Sequence, residues 1–234
     1  MTSKGPYKQL FFSSSLFLLA IFLSHAALAL PFIYKDKGGG QLIADDLKTT
    51  CQRVPTVVPT ARTLMLSSFL EAYQRLPELK ALRTVQVWRG FLEEACTKDL
   101  EDVTTGTSHG LILRNREGLQ GVSIFRKEGP VKLYLSSFTI NAEHKRRGFG
   151  RCLLCATIES TREQDQDLEQ VHLVTRSANH DAVVFYQSMG FRPSAYMHEG
   201  YSAPDYTGMT LEGEELHQLL ESCATLRVQS TEAE

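Results

Sequence analysis

Hydrophobic residues recur at helical spacing in the first part of the chain and at strand spacing further on. Apolar positions from Thr60 to Leu76 lie three and four residues apart, and the same spacing returns between Leu79 and Leu92. Pro77 stands between the two stretches, where it closes the first helix or opens the second. The pattern predicts two consecutive helices.

Three short strands separated by turns are predicted next. They cover 110–115, 119–126 and 131–140, and such short connections require antiparallel neighbours. The predicted elements that follow are a helix over 148–158, a strand over 170–175, a helix over 179–189, and strand-like segments near Tyr196 and over 206–211. We expect an α/β fold whose mixed central sheet, an antiparallel meander followed by a βαβ unit, is flanked by helices.

The N-terminal segment has a different pattern. Lysines precede an apolar run over 10–30, in which Ala27 and Ala29 supply the small residues of a cleavage site. The segment 1–29 is predicted to be a signal peptide or an uncleaved membrane anchor, since the whole run could also span a bilayer. We therefore expect an exported or membrane-anchored protein, associated with the membrane through residues 10–30.

Composition divides the remaining chain into three parts. Residues 30–50 contain three consecutive glycines among mixed charges, which is typical of a flexible linker. From Glu212 onward the chain has six glutamates against one arginine, and residues 216–234 are predicted to form an acidic C-terminal tail, while a helical part over 211–220 could pack on the domain. One folded domain is therefore expected over 51–215.

The overall composition excludes several classes of protein. A chain of 234 residues with 42% hydrophobic and 22% charged residues is neither disordered nor a multi-span membrane protein. A formal net charge of -2 provides no basic field for nucleic acid, so no nucleic-acid partner is expected. Among the 5 cysteines, Cys152 and Cys155 fit helix packing better than a metal site, and Cys51 could pair with Cys96.

A basic loop with two glycines follows the third predicted strand. The sequence over 144–151 is His-Lys-Arg-Arg-Gly-Phe-Gly-Arg, and an amphipathic helix begins within it. Unpaired N–H groups and the helix dipole at such a start would attract a diphosphate. Glycines 148 and 150 would let it approach the backbone, and Lys145, Arg146, Arg147 and Arg151 would neutralise its charge. A solvated basic patch or a localisation signal is the alternative.

A second motif lies in the helix predicted over 179–189. Asn179, Ala182, Tyr186, Gly190 and Phe191 match the pattern N-x-x-A-x-x-x-Y-x-x-x-G-F. An ordinary helix would also place Asn179 at its start and Gly190 at its left-handed end.

Together with K-R-R-G-F-G over 145–150, this motif resembles the GNAT superfamily of acetyl-CoA-dependent N-acetyltransferases, whose loop pattern is [R/Q]-x-x-G-x-[G/A]. The resemblance covers roughly residues 52–212. Lys145 departs from the pattern, since it keeps a positive charge but lacks the bidentate fork of arginine.

The resemblance implies an enzyme that moves an acetyl group from acetyl-CoA to a primary amine by direct attack in a ternary complex, without a metal. The cofactor-binding residues it implies are Thr139, Ile140, Lys145, Arg146, Arg147, Gly148, Phe149, Gly150, Arg151 and Asn179. Tyr186 would be the catalytic acid that protonates the leaving sulfur, since the reference pKa of tyrosine is about 10. A half-buried core tyrosine is the alternative for Tyr186.

Neither the general base nor the acceptor is indicated. The strand over 131–140 has no carboxylate, although many relatives place a glutamate there, so water relayed through Ser136 or Ser137, or a group such as His198 or Glu199, would have to serve. The acceptor could be a small molecule, a protein lysine or an N-terminal amine, held by the two leading helices and the segment 196–206.

Two expectations qualify this interpretation. A catalytically inactive module that only binds CoA is the alternative function. Acetyl-CoA is cytosolic, so the catalytic domain of an exported or anchored chain would still need a cytosolic acetyl-CoA pool.

Overall fold

A computed structural model describes residues 31–74 and 82–228 of the chain. The predicted signal peptide or anchor over 1–29 and the end of the predicted tail lie outside these residues. So does Pro77, the predicted boundary between the two leading helices.

The described elements follow the predicted order, with additions at both ends. They are β1 (Phe32–Lys35), β2 (Gln41–Asp46), α1 (Leu47–Arg53), α2 (Val57–Gln74), α3 (Leu82–Thr105), β3 (His109–Asn115), β4 (Gly118–Lys127), β5 (Lys132–Ile140), a 3-10 turn (Ala142–His144), α4 (Phe149–Gln164), β6 (Gln170–Arg176), α5 (His180–Ser188), β7 (Arg192–Ser194), β8 (Tyr206–Glu212) and α6 (Gly213–Leu226).

The strands form one sheet in the order β1-β2-β3-β4-β5-β6-β8-β7. Strands β5 and β6 run parallel, because helix α4 crosses between them, and the other neighbours are antiparallel. The predicted α/β fold, a meander followed by a βαβ unit with flanking helices, is confirmed.

Helices cover the two faces of the sheet. Leu111 and Leu113 of β3 belong to the apolar cluster that α4 and α6 complete, whereas Ile112 between them belongs to the cluster beneath α2 and α3. Successive residues of a strand point to opposite faces. Helices α2 and α3 therefore lie on one face of the sheet, and α4 and α6 on the other.

Residues 30–50 differ from the predicted linker, because β1 and β2 form a hairpin within them. The glycines make its turn, in which Gly39 has a φ of +80° and Asp36 accepts hydrogen bonds from the N–H groups of Gly38 and Gly40. The side chains that the hairpin buries alternate along both strands: Phe32, Tyr34, Leu42 and Ala44. This alternation is typical of a strand, and the glycines obscured it.

Most of the predicted acidic tail is also helical. Helix α6 buries Leu216, Leu219 and Cys223 beneath its glutamates, and Cys223 forms a disulfide with Cys155 of α4. The helix continues to Leu226, beyond the helical part expected over 211–220, because its buried residues keep a helical spacing. Cys51 and Cys96, which the sequence left as a candidate pair, are free thiols. The limits of the domain stay a prediction.

The prediction of an exported or membrane-anchored protein is wrong. In residues 31–74 and 82–228, no helix is at once long enough and apolar enough to cross a bilayer. The longest described helix, α3, carries Lys98, Asp99, Glu101 and Asp102 near its C-terminal end, and such charges are costly in hydrocarbon. The apolar run 10–30, on which the prediction rested, lies outside the described residues.

Candidate functional site

A cleft opens where β5 and β6 separate. Residues 132–135 of β5 pair with residues 170–173 of β6, and the pairing stops there although both strands continue. At the same point the register between β4 and β5 shifts, so that Ser136 is skipped. Such a bulge increases the local twist of the strand. The diverging ends of β5 and β6 therefore leave backbone groups of both strands facing a gap.

Helix α5 lines this cleft with aromatic rings. The Tyr186 ring centroid lies 6.2 Å from that of Phe138 in β5, 5.2 Å from Phe185 and 5.4 Å from Phe191. Tyr186 is buried, and burial raises the pKa of its phenol above the usual range. The phenol is therefore protonated at neutral pH, as a proton donor has to be.

The basic loop leads into a helix start with unpaired N–H groups. Gly148 precedes α4 with a φ of 89°, and no described side chain caps the helix. The Cys152 N–H donates to the Gly148 carbonyl at 3.1 Å. The three preceding N–H groups, of Phe149, Gly150 and Arg151, thus have no acceptor within the helix. Together with the helix dipole they favour an anion such as a diphosphate.

Two cations of the loop are paired with carboxylates from elsewhere in the fold. Lys145 Nζ lies 3.1 Å from Glu71 Oε1 of α2, and Arg147 lies 3.4 Å from Asp36 of the β1–β2 hairpin. Arg146 is exposed and has a φ of 65°. A bound phosphate would therefore share Lys145 and Arg147 with these carboxylates.

The turn of the β1–β2 hairpin lies against the loop, which the sequence did not indicate. The Lys37 N–H donates to the Arg147 carbonyl at 3.2 Å. A Cβ atom at Gly148 would lie 3.3 Å from Lys37 Cγ. The hairpin thus adds another cation beside the start of α4.

Unpartnered polar atoms in this region fit a ligand rich in oxygen. Thr139 Oγ1, near the end of β5, and Arg151 Nε, in the first turn of α4, are buried without a hydrogen-bond partner among the described residues. Burying such groups unpaired is costly. Acetyl-CoA, which the resemblance implies, carries phosphate and amide oxygens that could accept from both. The residues present therefore fit this group.

The remaining predicted cofactor residues have structural roles of their own. Asn179 caps α5, since its side chain accepts from the Ala182 N–H at 3.4 Å. Phe149 is buried and stacks on His144, so only its backbone can face a ligand. A Cβ atom at Gly150 would lie 3.1 Å from the Phe185 ring, so this glycine lets the two sequence motifs pack together. The Ile140 carbonyl accepts from Ser68 at 3.2 Å.

The face of the sheet covered by α2 and α3 holds a carboxylate that the sequence did not single out. Asp99 of α3 accepts a hydrogen bond from the Ser137 hydroxyl of β5, with 2.5 Å between the oxygens. Burial raises the pKa of the Asp99 carboxyl above its usual range. The predicted second helix ended at Leu92, before Asp99, so no sequence signal linked this carboxylate to the strand.

His198 and Glu199, considered from the sequence, are less well placed as bases. Nε2 of His198 is in contact with the Arg126 guanidinium, which can only donate, so this nitrogen does not face an acceptor amine freely. Burial and the neighbouring Arg126 lower the pKa of His198. Glu199 is exposed.

Aromatic side chains form a rim around Arg176, the last residue of β6. The Arg176 guanidinium carbon lies 4.6 Å from the ring centroid of Trp88, 4.8 Å from Tyr73 and 4.9 Å from Tyr206. The Tyr201 ring is 4.8 Å from Tyr206. The rim joins α2, α3 and the segment 196–206, the regions expected to build the acceptor side.

Comparison with known proteins identifies this architecture. The sequence profile of the acetyltransferase (GNAT) domain matches residues 77–202, more than half of the chain. The crystal structure of PaiA N-acetyltransferase from Thermoplasma acidophilum, in complex with coenzyme A, aligns with a TM-score of 0.52 at 13% identity, over 73% of this chain and 99% of its own.

A second solved structure gives the same result. A protein from Desulfovibrio desulfuricans, described as an acetyltransferase of the GNAT family, aligns with a TM-score of 0.52 at 15% identity, over 73% of this chain and 98% of its own. No curated protein matches the sequence. At these identities the structural likeness shows the fold alone.

Proposed function

This chain belongs to the GNAT family of acetyltransferases, and from that premise we propose that it moves the acetyl group of acetyl-CoA to a primary amine. Membership makes it an acetyl-CoA-dependent acyltransferase. The amine acceptor and direct attack in a ternary complex are the proposed part. The observation that carries the proposal is the separation of β5 and β6 beyond Leu135, with the uncapped start of α4 nearby and the Tyr186 ring packed on Phe138 of β5.

We assign acetyl-CoA binding to the residues around the start of α4. They are Thr139, Ile140, Lys145, Arg146, Arg147, Gly148, Phe149, Gly150, Arg151 and Asn179. The N–H groups at the start of α4 and the loop cations would hold the diphosphate. The unpartnered Thr139 Oγ1 and Arg151 Nε support this assignment. So does the PaiA protein, which shares the fold and was solved with coenzyme A.

The diverging part of β5 would orient the thioester. Beyond Leu135 the backbone groups of β5 that face β6 have lost their sheet partner. They can therefore hydrogen bond to the pantetheine arm and to the thioester carbonyl. A single donor aimed at a developing oxyanion contributes about 2.7–4 kcal/mol to transition-state stabilisation.

Tyr186 would act as the general acid. Its phenol stays protonated because burial raises its pKa, and its ring is fixed between Phe138 and Phe191. A proton delivered to the leaving sulfur makes CoA a neutral thiol. A tyrosine at the same position with a purely packing role would have no effect on this step.

An acetylation assay on the full-length chain tests the proposal. Acetyl-CoA is offered with each of four amines: phenethylamine, spermidine, a peptide with a free N-terminus, and an N-terminally blocked peptide that contains lysine. Released CoA is measured with a thiol reagent and the acetylated amine by mass spectrometry. We expect equal amounts of both, and initial-rate lines that intersect when the two substrates are varied.

Three results would contradict the proposal. CoA release without an acetylated amine would indicate thioester hydrolysis. Parallel initial-rate lines would indicate an acetylated enzyme instead of a ternary complex. Tight binding of acetyl-CoA with no release from any amine would favour the alternative, a module that only binds CoA.

A further inference from the structure

Acetyl transfer to an amine requires that the amine lose a proton. An alkylamine such as lysine has a pKa of about 10.4, so at neutral pH nearly all of it is an ammonium ion with no lone pair for attack. Strand β5 carries no carboxylate that could take this proton. Helix α3, packed on the same face, brings Asp99 to β5 at the point where the cleft opens.

The Asp99–Ser137 pair lies at the site of strand divergence. Ser137 directly follows Ser136, the residue skipped in the register with β4, and it is buried. Its hydroxyl donates to Asp99 Oδ2 across 2.5 Å. The hydroxyl oxygen keeps a lone pair with which it can accept a proton from an ammonium ion.

This pair and Tyr186 reach the cleft from opposite faces of the sheet. Ser137 points towards α3, where Asp99 is. Phe138, the next residue, points to the other face and contacts Tyr186. A base on one face and an acid on the other can act on the attacking nitrogen and the leaving sulfur without neutralising each other.

We propose that Ser137 takes the proton from the acceptor ammonium and passes its own hydroxyl proton to Asp99, which is the terminal proton acceptor. This proton relay rests on the proposed function, acetyl transfer to an amine. The freed lone pair forms the C–N bond, the C–S bond breaks, and the sulfur takes the phenol proton of Tyr186. The second amine proton, released as the amide forms, restores Tyr186 through water. Asp99 gives its proton to water after the products leave.

The charges facing Asp99 set the pH range of this relay. Its neighbours are Lys98, Asp102 and Cys96 on its own helix, Arg126 on β4, Ser137 on β5 and Tyr201 in the 196–206 segment. Burial outweighs the nearby cations, so the pKa of the carboxyl is raised. The carboxylate is the form that accepts a proton. The rate should therefore fall as the pH drops through this raised pKa, at higher pH than for an exposed aspartate.

The pH profile of kcat/KM in the full-length enzyme tests the relay. The amine used is the one of the four that is acetylated fastest. Asp99→Asn should lower kcat/KM at neutral pH about 100-fold. In this variant kcat/KM should also increase with pH up to the pKa of the amine, because only amine that is already deprotonated in solution can react. Ser137→Ala should show the same increase of kcat/KM with pH.

Glu101→Gln is the matched control. Glu101 lies on the same helix, is exposed, and is not among the charges that face Asp99. This variant should keep the wild-type rate and profile. An Asp99→Asn enzyme that folds and has the wild-type pH profile would overturn the inference, because a merely structural carboxylate would not set the titration of the rate.

A second readout does not depend on turnover. Carbon NMR of the ligand-free chain, with the Asp99 signal assigned from the Asp99→Asn variant, gives the carboxyl pKa directly. We expect a value above the usual aspartate range that rises further in Ser137→Ala, because the lost hydrogen bond stabilises the carboxylate. If the Asp99 carboxyl has an ordinary pKa, and Ser137→Ala does not change that pKa, the proton relay is overturned while the proposed function still stands. A wild-type chain that acetylates none of the four amines would overturn the proposed function and this inference together.

Discussion

The two sides of the cleft are built differently. On the proposed cofactor side, the contiguous run Lys145–Arg151 surrounds one helix start, and its backbone N–H groups are the main proposed ligands. On the proposed acceptor side, Tyr73, Asp99, Ser137 and Tyr206 come from four separate elements. A diphosphate can be bound by backbone geometry, which a short motif encodes. An acceptor is recognised by side chains that only the fold brings together.

The largest effect is expected from a carboxylate on the cofactor side. Gly148→Glu should weaken acetyl-CoA binding about 100-fold, because the new charge repels phosphate and the side chain crowds Lys37, 3.3 Å from the added Cβ. Calorimetric titration of the full-length chain measures this. Gly148→Glu should not alter the structure of the acceptor side, so the pKa of the Asp99 carboxyl should stay raised in this variant.

Gly148→Gln is the control for backbone strain, because it places a side chain of nearly the same size at the same φ of 89° without a charge. Equal loss of binding in both variants would mean that strain, not charge at the start of α4, is responsible.

A smaller effect, on kcat, is expected from Tyr186, which lies where the two sides meet. Tyr186→Phe should lower kcat about 30-fold and leave the affinity for acetyl-CoA nearly unchanged, since only the proton donor is lost while the ring still packs on Phe138 and Phe191. Steady-state kinetics measure this. Tyr34→Phe, which removes a different buried hydroxyl bonded to Glu159 at 2.6 Å, is the control and should keep the wild-type kcat. An unchanged kcat in Tyr186→Phe would assign Tyr186 to the core alone.

Changes in the aromatic rim should alter the KM of the amine acceptor and leave acetyl-CoA binding unchanged. Arg176→Met keeps an unbranched apolar stem and removes the charge between Trp88, Tyr73 and Tyr206. We expect the KM of the amine to rise about 10-fold, because the rings lose the cation that orders them. Arg192→Met is the control, since that side chain is 75% exposed. If Arg176→Met instead weakens acetyl-CoA binding, Arg176 belongs to the cofactor side.

The smallest effect is expected from the hairpin. Lys37→Ala should weaken acetyl-CoA binding about 3-fold at low salt and less at high salt, because exposed charge pairs contribute little and are screened. Calorimetry at two salt concentrations measures this. Lys132→Ala, an exposed lysine at the far end of β5, should leave the affinity unchanged. Equal binding by Lys37→Ala and wild type at low salt would limit the hairpin to a packing role.

Local patterns predicted the meander, the basic loop and the helix that follows it, because each is a contiguous run with one period. The β1–β2 hairpin was missed although Phe32, Tyr34, Leu42 and Ala44 alternate, since the glycines of its turn looked like a linker. No local pattern could predict the Asp99–Ser137 contact. The two residues are 38 positions apart, and which helix turn meets which strand residue depends on how α3 packs on the sheet.

The most direct test of a cleft with these two sides is to compare amide NMR spectra of the full-length chain with acetyl-CoA and with CoA. The diphosphate is common to both ligands, so both should shift Phe149, Gly150 and Arg151. Acetyl-CoA should shift Ser137, Phe138 and Asp99 further than CoA does, because only acetyl-CoA carries the acetyl group that would lie beside them. Identical spectra for the two ligands, or shifts confined to other parts of the fold, would contradict this arrangement.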